Sequence, residues 1–418
     1  MSLTKRILMA MMLGIATGIV LNLLDSGAAN SWIQVFLVEG VFDAIGSIFI
    51  ASLKLLVVPL VFVSLVCGTA TLGNHARMGS LAFKTIGLYL LTTAIAISLA
   101  ITIAIVVAPG EGVEPDTVAV AMDAQAPSIK ETLVNIFPDN PVRAMAEGNM
   151  LQVIVFSILL GLAISRSGDS AKPMVEFFEN LNQVIMKMIL MLVHFAPYGV
   201  FCLLAKLFAG EGVGVIRNLL WYFCTVIAVL ALQCFVVYPS LLKFLAGLNP
   251  LIFFRKLSPV LLFGFSSASS NATLPFTLTT VRDKLGVDNK VASFTLPLGA
   301  TVNMDGTSIM QGVATVFIAQ AYAIDVGIGG YLMVVLTATL ASIGTAGVPG
   351  VGMITLTMVL QQAGLPVEGI AMIIGVDRLL DMLRTSVNIT GDATVSSVVA
   401  NSESLLDRER FSEPTLRD

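Results

Sequence analysis

The sequence predicts an all-α integral membrane protein, and three observations carry that prediction. Of its 418 residues, 56% are hydrophobic and 12% charged, against about 45–50% and about 25% in soluble domains. Apolar runs of bilayer-spanning length recur along the whole chain. They are continuous rather than alternating, which selects helices over barrel strands. Near the C-terminus, Asp377, Asp381, Arg384, Thr385, Asn388 and Asp392 fall on one side of a helix, within an arc of about 100°. One charge at the bilayer centre costs about 2.5–3.5 kcal/mol, so such a stripe needs a polar cavity and partners.

The elements follow in order. Lys5 and Arg6 precede an apolar run over 7–24 with no small-x-small cleavage site after it, which reads as a retained first helix rather than a signal peptide. A second helix is expected over 41–72, long enough to tilt. A third covers 80–108 and stops at Ala108-Pro109-Gly110, before a loop with Glu111, Glu114, Asp116 and Asp123. Region 130–166 is apolar but broken by Pro138, Pro141 and Gly148, hence a fragmented helix. A fifth helix is expected over 172–208 and a sixth over 214–246.

Basic residues set the sidedness. Lys5 and Arg6, Arg77 and Lys84, Arg166 and Lys172, then Lys243, Arg255 and Lys256 mark alternate connections. The connection with Glu211 and Arg217 has no basic excess. This alternation puts the N-terminus in the cytoplasm and the acidic 109–129 loop outside. Beyond residue 250 the pattern changes. Segment 251–281 is interrupted by Gly264 to Asn271 and has basic residues at both ends: Arg255 and Lys256, then Arg282 and Lys284. It enters and leaves by one face, a re-entrant hairpin with a polar tip. Segment 331–364 repeats the plan around Ser342 to Gly350. Each hairpin precedes a helix with a polar centre, Asn303 to Thr307 and Asn388 to Asp392. Two such units in opposite orientation form the inverted repeat of secondary transporters.

Other chemistries find little support. A net charge of -4 without a basic tract argues against nucleic acid. Cys67, Cys202, Cys224 and Cys234 lack CxxC spacing and read as small buried hydrophobes. His75 and His194 have no neighbouring ligand pattern, which argues against a transition-metal or haem site. No His or Lys lies near the serine-rich tip to serve as a base, so an intramembrane enzyme is not expected. A channel is the remaining class; it predicts flux that never exceeds the electrochemical gradient.

The motifs resemble the glutamate/aspartate transporter family, the dicarboxylate/amino acid:cation symporters. The matching residues are the serine tip with Thr273-Leu274-Pro275, the run Pro297 to Thr307, the glycine-rich Ser342–Gly350, and Asp381-Met382-Leu383-Arg384-Thr385 through Gly391-Asp392. They occur in family order from end to end. That family is itself a type case of the inverted repeat, so the repeat is not independent support. The resemblance implies eight transmembrane helices and two re-entrant helical hairpins in a homotrimer working by an elevator mechanism. A fixed scaffold would comprise 1–72 (helices 1 and 2) and 130–213 (helices 4 and 5). A mobile transport unit would comprise helix 3 (73–108), helix 6 (214–250), hairpin 1 (251–284), helix 7 (285–325), hairpin 2 (326–366) and helix 8 (367–402). Segment 109–129 would be extracellular and 403–418 a cytoplasmic tail. The protein would sit in the plasma (inner) membrane with both termini cytoplasmic, and hairpin 2 would gate the outer side.

The resemblance also assigns roles. Arg384 would hold the substrate's side-chain carboxylate, which its planar fork suits bidentately. A structural ion pair with Asp381 or Asp377 is the alternative. Asp381 would take the α-ammonium, which favours aspartate or glutamate over plain dicarboxylates. Thr385, Asn388 and Thr307 would hydrogen-bond the substrate, with Ala268, Ser269, Ser270, Val348 and Gly352 reaching it from the hairpin tips. Helix packing is the alternative for the threonines and asparagine. One sodium set is Asp392, Asn388, Asn303 and the Gly299 carbonyl. A second is Tyr89, Thr92, Thr93, Asn303 and Asp305. A third is the carbonyls of Thr301, Met304, Ser342, Ile343 and Thr345. Na+ is thus the expected co-transported ion, with no organic cofactor, and H+ is the rival. Gln311, where proton-carrying members tend to have a carboxylate, agrees with sodium. A C4-dicarboxylate or neutral amino acid carrier is the runner-up within the family. One departure stands out. Members usually carry an arginine before the hairpin serines or beside the substrate aspartate, where this chain has Ala268 and Met382. Arg378 is the candidate to supply that charge near Asp381, with a structural pair to Asp377 as its alternative.

Overall fold

The computed structural model describes residues 3–24, 32–74, 79–112, 137–211, 214–343, 347 and 349–413. These are helical almost throughout, with one isolated β-bridge, Val287 to Leu406. The first helix, α1 (Leu3–Leu24), lies along a later helix, α7 (Ala196–Glu211). Glycines make that approach possible. A Cβ at Gly14 would stand 2.7 Å from the Phe201 carbonyl, and one at Gly18 2.6 Å from Phe208 Cβ. Small residues four apart are the usual means of close helix contact in lipid.

The second helix begins earlier than the expected residue 41. Wide turns over Ile33–Phe42 run directly into α2 (Asp43–Asn74), and the Asp43 N–H donates back to the Val38 carbonyl. Helix α2 packs on α5 (Met150–Arg166), α6 (Lys172–Val193) and α7. Region 130–166 is fragmented as expected from 137 onward: α4 (Pro141–Glu147) ends at Gly148, and α5 follows. The expected single helix over 172–208 is corrected. It is two helices, α6 and α7, bent by 47° at His194–Phe195. Pro197 in the first turn of α7 has no N–H to continue the ladder.

Helix α3 (Gly79–Val107) and the pair α8 (Gly214–Leu232) and α9 (Tyr238–Ala246) belong to the second group of packed helices. Wide turns over Gln233–Val237 join α8 to α9. The first interrupted segment is α10 (Pro250–Ser267) and α11 (Ser270–Asp283), turning at Ala268 and Ser269. Ala268 has φ +50°, a left-handed conformation that costs a non-glycine residue about 1–2 kcal/mol. Ser269 offsets part of that by capping α11 through the Ala272 N–H. The helix expected over 285–325 is also two pieces, α12 (Asn289–Val302) and α13 (Asp305–Ala321). Extended backbone at Asn303 separates them, so side chains rather than a helical ladder converge there. The second interrupted segment is α14 (Gly327–Ser342) and α15 (Val351–Gln362). Helix α16 (Ile370–Ser402) runs unbroken through the centre and touches α3, α8, α10, α12 and α13.

Among the described residues, three helices are long and apolar enough to cross a membrane, or four counting the bent α6–α7 pair. Cys202 is buried and Cys67 and Cys234 half-buried, but Cys224 is exposed, contrary to its reading as a buried hydrophobe. It sits on the outward face of an apolar helix, where a small thiol costs nothing. His75 lies outside the described residues. The acidic loop is described only up to residue 112. The tail is tied down through residue 413: Lys256 Nζ donates to the carbonyls of Lys284, Arg410 and Phe411 at 2.7–2.8 Å, next to α17 (Arg408–Ser412).

Candidate functional site

Two buried polar clusters meet along α16, and the sequence stripe supplies both. The first lies toward its N-terminal half. Arg384 is 1% exposed. Its Nη1 donates to Asp377 Oδ1 at 2.7 Å and its Nη2 to Asp381 Oδ1 at 2.9 Å. Its Nε has no hydrogen-bond partner. Arg378 Nη1 donates to Asp381 Oδ2 at 3.2 Å. The Gly350 N–H reaches the same oxygen at 3.4 Å. The cluster therefore holds two cations and two anions. It is neutral as it stands.

Beside Asp381 is a small cavity of about 20 Å³. Ala268 and Ser270 from the first hairpin, Gly347, Val351 and Gly352 from the second, Met304 and Thr307 from the α12–α13 break, and Asp381, Thr385 and Asn388 form its wall. Thr385 Oγ1 donates to its own helix at the Asp381 carbonyl, 2.8 Å away. Asn388 Oδ1 accepts from the Gly306 N–H at 2.7 Å, capping α13. Ser269 is not in the wall; its hydroxyl donates to the Gly347 carbonyl at 2.7 Å and latches the two tips together. A Cβ at Gly352 would stand 3.2 Å from Arg384 Nη2, which makes that position the floor under the guanidinium. Val348 lies outside the described residues.

The second cluster surrounds the α12–α13 break. Asp305, fully buried, accepts at Oδ1 from Thr93 at 2.7 Å and Thr92 at 3.4 Å. At Oδ2 it accepts from Tyr238 at 2.8 Å and Gln233 Nε2 at 3.1 Å. Asp392, 3% exposed, accepts at Oδ1 from Asn303 Nδ2 at 2.9 Å. Asn303 Oδ1 in turn faces Thr92 Oγ1 at 3.4 Å, so this residue joins the two carboxylates. Gly299 leaves the space between: a Cβ there would meet Asp392 Oδ1 at 2.5 Å and the Tyr89 hydroxyl at 2.6 Å. Among the described residues, the ion pairs of the chain include neither Asp305 nor Asp392. Neutral hydroxyl and amide donors only partly replace water around a buried carboxylate.

The expected residues thus fall in part where the resemblance grouped them. Asp392, Asn303, Gly299 and the Asn388 carbonyl come together. Thr92, Thr93, Asn303 and Asp305 do too, and the Tyr89 carbonyl joins them by accepting from Thr92 Oγ1 at 3.0 Å, while the Tyr89 hydroxyl donates to the Thr295 carbonyl at 3.0 Å and lies against Gly299 and Asp392. The third set is one of main-chain carbonyls, and its side chains make bonds of their own. Thr301 bonds back to Leu298, Ser342 to Thr339, and the Ile343 carbonyl lies 3.5 Å from where Gly68 would carry a Cβ. Met304 offers its sulfur to Asn388 Nδ2 at 3.4 Å. Thr345 lies outside the described residues. Sequence reasoning missed Gln233 and Tyr238, whose partner Asp305 is about seventy positions away. A polar glutamine inside an apolar run was the one signal available. Gln311 Nε2 donates to Thr355 Oγ1 at 2.8 Å, tying α13 to the second hairpin.

Comparison with known proteins gives the same answer throughout. Residues 3–402 match the profile of the sodium:dicarboxylate symporter family. The chain is 35% identical over 424 residues to a proton/glutamate-aspartate symporter of Escherichia coli (strain K12), covering 98% of this chain and 94% of that one. It is 34% identical over 375 residues to a proton/sodium-glutamate symport protein of Geobacillus stearothermophilus, covering 88% and 89%. To human excitatory amino acid transporter 3 it is 32% identical over 446 residues, covering 93% and 83%.

Proposed function

The chain belongs to the sodium:dicarboxylate symporter family, and from that premise we propose that it imports aspartate or glutamate together with Na+. The observation that carries the reading is the small cavity between the two hairpin tips, with Asp381 in its wall and the buried Arg384 bound to that same aspartate. A cavity of about 20 Å³ takes roughly one water, so substrate entry requires the second hairpin to lift. The substrate's side-chain carboxylate then replaces Asp381 on the Arg384 fork, and its α-ammonium takes the freed Asp381. Thr307, Thr385 and Asn388 bond its remaining oxygens with the backbone of the hairpin tips.

Aspartate carries one net negative charge into a neutral cluster. The second cluster supplies the reason for a cation, since Asp305 and Asp392 are buried with only neutral donors. Binding Na+ there converts an uncompensated charge into a matched one, and the shared α16 and Asn303 couple the two events. Helices α3 and α8 to α16 would then move as one unit past α1, α2 and α4 to α7, the elevator step, in a plasma-membrane homotrimer with both termini cytoplasmic. A second reading, H+ in place of Na+, is favoured by the name of the Escherichia coli relative. Against it stands Gln311, an amide that holds Thr355 and carries no proton.

Uptake of labelled aspartate into proteoliposomes, under an imposed Na+ gradient or an imposed proton gradient, tests both parts. Accumulation driven by Na+ alone is the expected result. Accumulation that follows the proton gradient alone removes Na+ from the reading, and inhibition by succinate or serine as strong as by glutamate removes the acidic amino acid.

A further inference from the structure

Asp381 is the most contested carboxylate in the first cluster. Arg384 Nη2 holds its Oδ1 at 2.9 Å, while Arg378 Nη1 at 3.2 Å and the Gly350 N–H at 3.4 Å hold its Oδ2. Arg384 has a second anion in Asp377, 2.7 Å away. Arg378 forms an ion pair with Asp381. Arg378 is 8% exposed and also lies on the wall of a different cavity, of about 50 Å³, with Pro349 and Gly350 of the second hairpin and Phe49, Leu53 and Val200 of α2 and α7. One guanidinium thus stands between the substrate aspartate, the hairpin tip and an open space.

The geometry points to Arg378 as a specificity-determining residue: it stands on Asp381 as an internal cation, competes there with the substrate's ammonium, and so sets how strongly the site prefers an amino acid over the same dicarboxylate lacking the amine. The inference rests on the reading of Asp381 as the ammonium partner. An α-ammonium arriving at Asp381 meets a carboxylate already facing two guanidiniums, and like charges this close repel. It is accommodated when Arg378 swings toward the 50 Å³ cavity, which also releases the oxygen that Gly350 shares. A dicarboxylate without an amine asks for no such displacement. It finds Asp381 already neutralised, so Arg378 narrows the gap between the two substrate classes. The amine contributes selectivity in this site, and Arg378 moderates it.

Removing the charge at 378 therefore acts on the ratio of affinities rather than on affinity as such. In Arg378→Gln the preference for L-aspartate over succinate should widen about ten-fold, the scale of one moderately screened charge contact. Arg378→Lys keeps the charge and should stay near the wild-type ratio. Both ligands are titrated at fixed Na+ by thermal shift of the full-length detergent-solubilised protein and by competition in proteoliposomes. An unchanged ratio in Arg378→Gln, or equal weakening of both ligands, marks a merely structural arginine and overturns the inference. If the wild type is neither stabilised by aspartate nor transports it, the proposed function itself falls, and this inference with it. Should Arg378→Gln not fold, Arg378→Met carries the same test on an unbranched apolar stem.

Discussion

The two polar clusters along α16 differ in how their charges are matched. In the first, Asp377 and Asp381 face Arg378 and Arg384, and every carboxylate has a guanidinium within 3.2 Å. In the second, Asp305 and Asp392 are more deeply buried, yet hydroxyls and amides are their hydrogen-bond partners. The first cluster can rest as it stands, since its ions satisfy one another. The second cannot rest so cheaply, because neutral donors only partly replace water around a carboxylate. One cluster is matched ion to ion. The other relies on neutral donors alone.

Breaking the exchange should have the largest effect. Arg384→Ala is expected to reduce aspartate uptake to background, since truncating one partner of a buried charge pair costs about 2–5 kcal/mol in binding. It should also lower thermal stability, because Asp377 then loses its 2.7 Å partner. Adding Asp377→Asn to Arg384→Ala should restore much of the stability but none of the uptake. Normal aspartate uptake by Arg384→Ala would refute the role given to this residue.

The second cluster should respond in its ion dependence instead. Asp392→Asn removes one of the two carboxylates, and the half-saturating Na+ concentration should rise by about 10–100-fold while aspartate affinity at saturating Na+ changes little. Tyr238→Phe is the milder form of the same break. It deletes the 2.8 Å bond to Asp305 Oδ2 and leaves the ring in place, so a rise of roughly ten-fold is expected. Na+-dependent thermal shift without substrate reads both variants. Were aspartate affinity to move while the Na+ dependence stayed put, the division into two clusters would be wrong.

How much of this was readable in the chain follows from distance along it. The first cluster lies on a single helix, so Asp381 and Arg384 at i,i+3, and Asp377 two turns back from Arg384, could be put on one face by counting. The tips at Ala268 and Ser342–Gly350 were visible as polar interruptions in apolar runs, which no straight helix tolerates at that depth. Pro197 was visible as well, but the apolar run continues through it, and hydropathy alone merged α6 with α7. Gln233 and Tyr238 were out of reach. Their partner belongs to another helix, and the wide turn over Gln233–Val237 that re-aims them leaves no mark on periodicity.

The smallest expected effect lies at the C-terminal end of the same helix, where a pair is partly exposed. Lys84 Nζ stands 2.6 Å from Glu403 Oε1, and Ser80 donates to that oxygen at 2.9 Å. The hydrogen bond from Lys84, then that from Ser80, hold the Glu403 carboxyl below its ordinary range. A carboxyl whose folded value is depressed stabilises the fold above its unfolded pKa, and that contribution is lost as pH falls through the folded value. The pair ties α3 to the end of α16, so the acid limb of the melting curve should steepen slightly in the wild type and flatten in Glu403→Gln. At neutral pH that substitution should shift the melting temperature by no more than about 1–2 °C, in keeping with exposed ion pairs, and leave the Na+ and aspartate dependence unchanged. A transport defect as large as that of Tyr238→Phe would mean that charge matching at the helix end feeds into the cage, and the contrast between buried and exposed carboxylates would have to be abandoned.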